Sequence, residues 1–167
     1  MDKNLTDSLL NVCKFLNKHS VEYMIVGGAA VALHGYFRKS LNLSGLTSDK
    51  TDLDFWYNPT YDNYFKLLNT LEELGEDVSK FKKETTPNPK RSYFKLEFEN
   101  FTLDFLPELK GLTKFNSSFK ERETVSLSET EILFIGYDDL IKNKQANARS
   151  KDITDIEQLK IRRNKTK

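Results

Sequence analysis

Cysteine is nearly missing from this chain. Cys13 is the sole example in 167 residues, so no internal disulfide can form. A single thiol agrees with a reducing, cytosolic setting. Histidine is almost as scarce, with only His19 and His34, and Cys13 has no CxxC partner, which removes the usual zinc ligand sets. No apolar run approaches the roughly 20 residues that span a bilayer. The opening MDKNLTD lacks the apolar centre of a signal peptide. We therefore expect a cytoplasmic protein without a membrane partner. An excess of one charge is also lacking: 26 Lys and Arg against 25 Asp and Glu leave a formal charge of +1. That excludes a whole-molecule electrostatic grip on nucleic acid. No internal period of about 20 to 50 residues is visible, which argues against a solenoid.

The sequence does hold enough apolar matter for a core. Hydrophobic residues make up 38% and aromatics 12%, sufficient for one domain over residues 1–167 with disorder confined to the ends. The charge is uneven along the chain. Lys142, Lys144, Arg149, Lys151, Lys160, Arg162, Arg163, Lys165 and Lys167 make the last quarter basic. For Lys160–Lys167 the simple reading is a solvated helix face with a frayed tail. Residues 144–151 are better placed to face phosphate.

Leu5, Leu9, Val12, Leu16 and His19 recur at helical spacing, with Asn4 or Thr6 as the expected cap. Val21–Val26 reads as a strand that stops at Gly27-Gly28, and Ala29–Phe37 as an alanine-rich helix. Ser40–Lys50 is polar and loop-like. Thr51–Tyr57 is the next strand, closed by Asn58-Pro59. A helix follows through Tyr61, Tyr64, Phe65, Leu68, Leu71 and Leu74 to a cap at Gly75. Arg91–Glu99 and Phe101–Leu106 alternate as an antiparallel pair ended by Pro107. Weaker strands are expected at Thr124–Leu127 and Glu131–Phe134, and a C-terminal helical segment over 138–163. The mixture predicts an α/β (α+β) fold: a small mixed, twisted sheet flanked by helices.

Two of these strands carry carboxylates where strands are usually poor in them: TDLDFW at Thr51–Trp56 and FTLDFL at Phe101–Leu106. Alternation puts Asp52 and Asp54 on one face, with Leu53, Phe55 and Tyr57 on the other. Asp104 has the same setting, with Phe101, Leu103 and Phe105 turned to the core. Adjacent anions in a partly apolar site repel and are costly to desolvate. A divalent cation removes both objections. Oxygen-only ligands suit Mg²⁺ or Mn²⁺, with water and substrate phosphates completing the shell. DxD alone is also what a strand with one wet face shows by chance.

Gly27-Gly28 follows a strand and opens a helix, a geometry that allows a tight turn and points N–H groups at an anion. No Gly-Lys-Ser/Thr follows, so it is not a Walker loop, and the third glycine of a dinucleotide fingerprint is absent. The bland reading is a packing turn. Taken with the three carboxylates it describes phosphoryl or nucleotidyl transfer: metal ions activate a hydroxyl and backbone N–H groups hold phosphates.

VGGAAVALHGYFR (Val26–Arg38), TDLDFW and the LDFL of Leu103–Leu106 resemble, in that order, the minimal nucleotidyltransferase superfamily. The closing run LIKNKQANARSKDITDIEQL (Leu140–Leu159) is similar to the tail of its subgroup of abortive-infection toxins and small antibiotic nucleotidyltransferases. The resemblance implies that Gly27 and Gly28 contact a nucleoside triphosphate. It implies that Asp52, Asp54 and Asp104 are catalytic and bind the metals, Asp104 also activating the acceptor hydroxyl. It puts Lys144 near nucleotide phosphate and matches Arg149, Lys151, Asp152 and Asp155 to a charged C-terminal signature. Arg38 and His34 match positions on the helix after the turn.

Read from the residues alone, Lys144 and Lys151 can neutralise phosphate, and Arg149 with Asp152 or Asp155 equally makes an internal ion pair. His34 suits packing better than base chemistry, and Arg38 either approaches phosphate or pairs with an acid. The Ser40–Lys50 insertion between Arg38 and DxD departs from the family pattern. The expected activity is transfer of a nucleoside monophosphate from an NTP to a hydroxyl on a small molecule, a tRNA end or a protein, with pyrophosphate released. A toxin role would add a cognate antitoxin. The competing readings are a catalytically silent domain that binds a partner or RNA, and a metal-dependent phosphodiesterase.

Overall fold

The computed structural model describes residues 3–37 and 50–165. Arg38 and all of the Ser40–Lys50 stretch except Lys50 lie outside the described residues. The elements run α1 (Lys3–Lys18), β1 (Tyr23–Ile25), α2 (Gly27–Leu33), β2 (Thr51–Tyr57), α3 (Tyr61–Glu73), α4 (Ser79–Lys82), β3 (Phe94–Glu97), β4 (Phe101–Leu106), α5 (Phe115–Lys120), β5 (Glu123–Leu127), β6 (Thr130–Phe134), α6 (Tyr137–Asn147) and α7 (Ser150–Lys165). Among the described residues six strands form one mixed sheet in the order β3-β4-β2-β1-β6-β5. β2 runs parallel to β4 and β1 parallel to β6; the remaining neighbours are antiparallel. This is the mixed α/β architecture expected from the sequence.

The sheet is covered unequally, and that positions the site. Leu53, Phe55 and Tyr57 of β2 turn to one face, where Phe55 stacks on Phe105 at 5.1 Å and Tyr57 meets Phe94 at 6.4 Å. Leu9, Val12 and Leu16 of α1 and Tyr64, Leu67, Leu68 and Leu71 of α3 are buried in the same core. Burying this apolar surface is the main favourable term holding helices to sheet. β1 is buried at every residue, which explains its unbroken apolar sequence. The opposite face of β2 carries Asp52 and Asp54, and its Trp56 packs edge-on against Phe115 of α5 at 5.2 Å.

Local signals set most element ends. Thr60 caps α3 by accepting from the Asn63 N–H at 3.3 Å. Gly75, at φ +100°, ends the same helix: its N–H bonds the Glu72 carbonyl and that of Glu76 the Leu71 carbonyl, a Schellman arrangement. Some expectations need correction. α1 begins at Lys3, so Asn4 and Thr6 lie inside it and do not precede it. α2 starts at the glycines themselves and ends at Leu33. Residues 89–91 form a 3₁₀ turn, leaving only Phe94–Glu97 of the Arg91–Glu99 segment in the ladder. Pro89 opens that turn, and Tyr57 fixes it with a hydroxyl 2.7 Å from the Pro89 carbonyl and 2.6 Å from that of Ser92.

Candidate active site

Parallel pairing of β2 with β4 sets Asp54 directly opposite Asp104, and Asp52 opposite Thr102. Residues paired in register share a face, so all three carboxylates leave the sheet on one side. Asp54 and Asp104 are half-buried and Asp52 is exposed. Burial, and then the charges of Asp104 and Asp52, push the Asp54 carboxyl up to about 6, against the opposing pull of Lys144 and Lys151. The site carries unbalanced negative charge.

The glycine turn meets this row directly. Val26 donates its N–H to the Asp54 carbonyl at 2.9 Å, laying Gly27 against the Asp54 side chain. Gly27 has φ +62°, and a Cβ there would stand 2.0 Å from Asp54 Oδ2. Both conditions demand glycine. Gly28 follows as the second residue of α2, half-buried at the same edge.

From the other side, α6 and α7 bring cations. Lys144, with a side chain only 2% exposed, donates to Asp152 Oδ1 at 3.0 Å and to Asp155 Oδ2 at 2.8 Å. It is therefore engaged inside the helix pair and not presented to an open face, although its charge still acts on Asp54. Arg149 closes the cluster from outside, its Nε 2.7 Å from Asp152 Oδ2 and its side chain 57% exposed. Of the two roles open to Arg149 in the sequence, the internal ion pair is thus formed. The hydrogen bond to Asp152 raises the Arg149 guanidinium, and Asp54 adds to the effect. Burial alone would raise the Asp152 carboxyl; hydrogen bonds from Arg149 and Lys144 overcome it and hold it at about 2. Lys151 is exposed, close enough to lower the Asp54 carboxyl. His34 is a packing residue: Nε2 lies 2.9 Å from the Ile135 carbonyl, and its ring meets Phe134 and Tyr137 edge-on.

Two hydroxyls were not foreseen. Tyr93 donates to Asp104 Oδ1 at 2.6 Å, and Thr102 donates to Asp52 Oδ1 at 2.7 Å. Alternation puts Thr102 on the same face as Asp104, but its partner across the ladder follows only from the register. Tyr93 precedes β3, two residues before Lys95, which stands opposite Asp104.

A metal fits this donor set in part. The oxygens are hard, the charge is in excess, and Mg²⁺ commonly takes one or two carboxylates with water and phosphate. Among the described residues, however, no group of three His, Cys, Asp or Glu side chains is gathered tightly enough to hold an ion. The row offers carboxylates to a metal whose shell water and phosphate would complete; it is not a closed three-carboxylate cage.

A mixed sheet with a glycine turn abutting a DxD strand, and a third acid in register on the parallel neighbour, is a nucleotidyltransferase-like architecture. The chain belongs to the family described as "Nucleotidyl transferase of unknown function" (DUF2204), which it matches over residues 5–167. Solved structures share the fold at low identity. A lincosamide antibiotic adenylyltransferase, LnuA, bound to lincomycin, aligns at TM-score 0.57 and 17% identity, over 96% of each chain. A candidate nucleotidyltransferase of Thermotoga maritima aligns at TM-score 0.57 and 11% identity, over 99% of this chain and 96% of its own. The antibiotic-resistance factor ANT(2'')-Ia aligns at 0.57 and 15%, over 95% of this chain and 84% of its own. No curated protein sequence matches. Among the described residues no helix is long and apolar enough to cross a membrane.

Proposed function

We propose that this protein transfers a nucleoside monophosphate from an NTP to a hydroxyl acceptor, releasing pyrophosphate. The observation that supports it most is the register of Asp54 with Asp104 beside a turn that only glycine can make. Asp52, Asp54 and Asp104 would hold Mg²⁺ or Mn²⁺. The bound cation would neutralise phosphate charge and lower the pKa of the acceptor hydroxyl. Gly27 and Gly28 orient the triphosphate through their N–H groups. Lys151, and Arg149 beyond its bond to Asp152, balance charge as the bond from the α-phosphorus to pyrophosphate breaks. Asp104 takes the proton of the attacking hydroxyl as the new oxygen–phosphorus bond forms. Lys144 contributes by fixing α6 to α7 and through its field at Asp54. Arg38 is assigned to the phosphates on the family pattern alone.

On this reading residues 1–167 work as one unit, with 138–163 as its helical segment, in the cytoplasm. A toxin role and a cognate antitoxin rest only on the closing run Leu140–Leu159. Incubation with α-labelled NTPs, Mg²⁺ and a cell extract tests the reaction. Label should move to a product in the wild type and not in Asp54→Asn or Asp52→Ala, with folding retained. Labelled free nucleoside monophosphate with no labelled acceptor would replace transfer by hydrolysis of the α–β phosphoanhydride. Wild-type activity in either variant would remove the assigned role.

A further inference from the structure

Both outer carboxylates of the row have one oxygen occupied by a hydroxyl of this chain. Thr102 Oγ1 donates to Asp52 Oδ1, and Tyr93 Oη to Asp104 Oδ1. The two donors reach the acids along different routes. Thr102 sits across the β2–β4 ladder from Asp52 and is buried, so its hydroxyl has little freedom. Tyr93 comes from the link between the 89–91 turn and β3 and is 48% exposed, yet the backbone before it is held. The preceding residue, Ser92, presents its carbonyl 2.6 Å from the hydroxyl of fully buried Tyr57, and its own hydroxyl donates to the Asn88 carbonyl at 2.9 Å.

An ionised carboxylate is an acceptor with two oxygens. A neutral donor fixed on one of them orients the group and leaves the other oxygen to a ligand, without adding charge that would compete with a cation. This is how outer hydrogen bonds tune metal-binding carboxylates. The Tyr93 contact is not required by the core, since Tyr93 is 48% exposed; the buried Thr102 hydroxyl needs an acceptor, and it takes one from the exposed Asp52.

We propose that Tyr93 and Thr102 are positioning residues that fix Asp104 and Asp52 as one-oxygen ligands for the divalent cation. This rests on the metal-dependent reading above, and the test separates the two. Mn²⁺ is titrated into the full chain without nucleotide, and the free ion is followed by electron paramagnetic resonance. The wild type should bind and Asp54→Asn should lose binding. Tyr93→Phe, which keeps the ring, and Thr102→Val, which keeps the shape, should each weaken Mn²⁺ binding about 10-fold or more. Thr102→Ser restores the hydroxyl and should bind within about two-fold of the wild type, a recovery that a purely structural role of the threonine methyl would not give. Thermal melts of each variant confirm folding. Binding unchanged or tightened in both Tyr93→Phe and Thr102→Val, with Asp54→Asn still defective, overturns the positioning role and leaves the metal reading intact. A wild type that takes up no Mn²⁺ overturns both.

Discussion

Replacing Lys144 with methionine removes one ammonium from a site that admits almost no solvent. The side chains of Asp152 and Asp155 are fully buried, and Lys144 donates to both, at 3.0 and 2.8 Å. Asp152 keeps Arg149, but Asp155 loses the ammonium, and both charges stay out of water. Breaking a buried pair by deleting one partner costs about 3–5 kcal/mol. For a chain of this length that lowers the melting temperature by about 6–20 °C.

The pH dependence gives the sign. The Asp152 carboxyl sits at about 2, below its ordinary 3.8. That depression contributes about 2 kcal/mol, fully present above the ordinary value and lost as pH falls towards 2. In Lys144→Met the Asp152 carboxyl loses one of the two hydrogen bonds that lower it, so the gap to wild type should narrow as pH falls from 3.8 towards 2. Calorimetry or circular dichroism melts across that range measure it. A loss no larger than the roughly 1 kcal/mol worth of an exposed ion pair, with no narrowing at low pH, would refute the view that these charges are sealed together.

Asp54→Asn should be more stable than wild type in metal-free buffer at pH 8, by about 1–3 kcal/mol in urea unfolding. The Asp54 carboxyl is raised from 3.8 to about 6, so its ionisation costs stability as pH climbs between those values, and the cost is complete above them. Gly27→Ala should lose about 1–2 kcal/mol to its left-handed backbone, plus the displacement of Asp54 Oδ2 from 2.0 Å of the new Cβ. Its thermal shift with Mg²⁺ and ATP should vanish, and a wild-type shift would contradict the close approach. Tyr57→Phe should cost about 1 kcal/mol in chemical denaturation by releasing the carbonyls of Pro89 and Ser92.

Much of this arrangement is legible in the sequence, because periodicity is a local property. Thr51–Tyr57 and Phe101–Leu106 announce themselves as strands with acids on one face, and their observed bounds are those expected. The glycine turn reads as a turn from two residues. What sequence cannot carry is which strands are neighbours and in what register. Asp54 opposite Asp104, and Thr102 opposite Asp52, follow from a parallel pairing between segments fifty residues apart. The same limit applies to Lys144. Its charge and helical setting mark it for phosphate, and only the packing of α6 on α7 shows it engaged by buried acids. Tyr93 falls in the Arg91–Glu99 stretch expected as strand, but it lies between the 89–91 turn, which Pro89 and the Tyr57 hydroxyl fix, and β3.

The stacked rings of Phe55 and Phe105 lie on the reverse side of the same two strands that bear Asp54 and Asp104. A pleated ribbon can shift only in whole residues, and one step would drive the acids inward while expelling the rings. Alignment of the reactive groups is therefore all-or-nothing, guarded by the energy of the greasy underside. Lengthening either ribbon by a single residue would abolish it, while changes to the connecting segments leave it untouched.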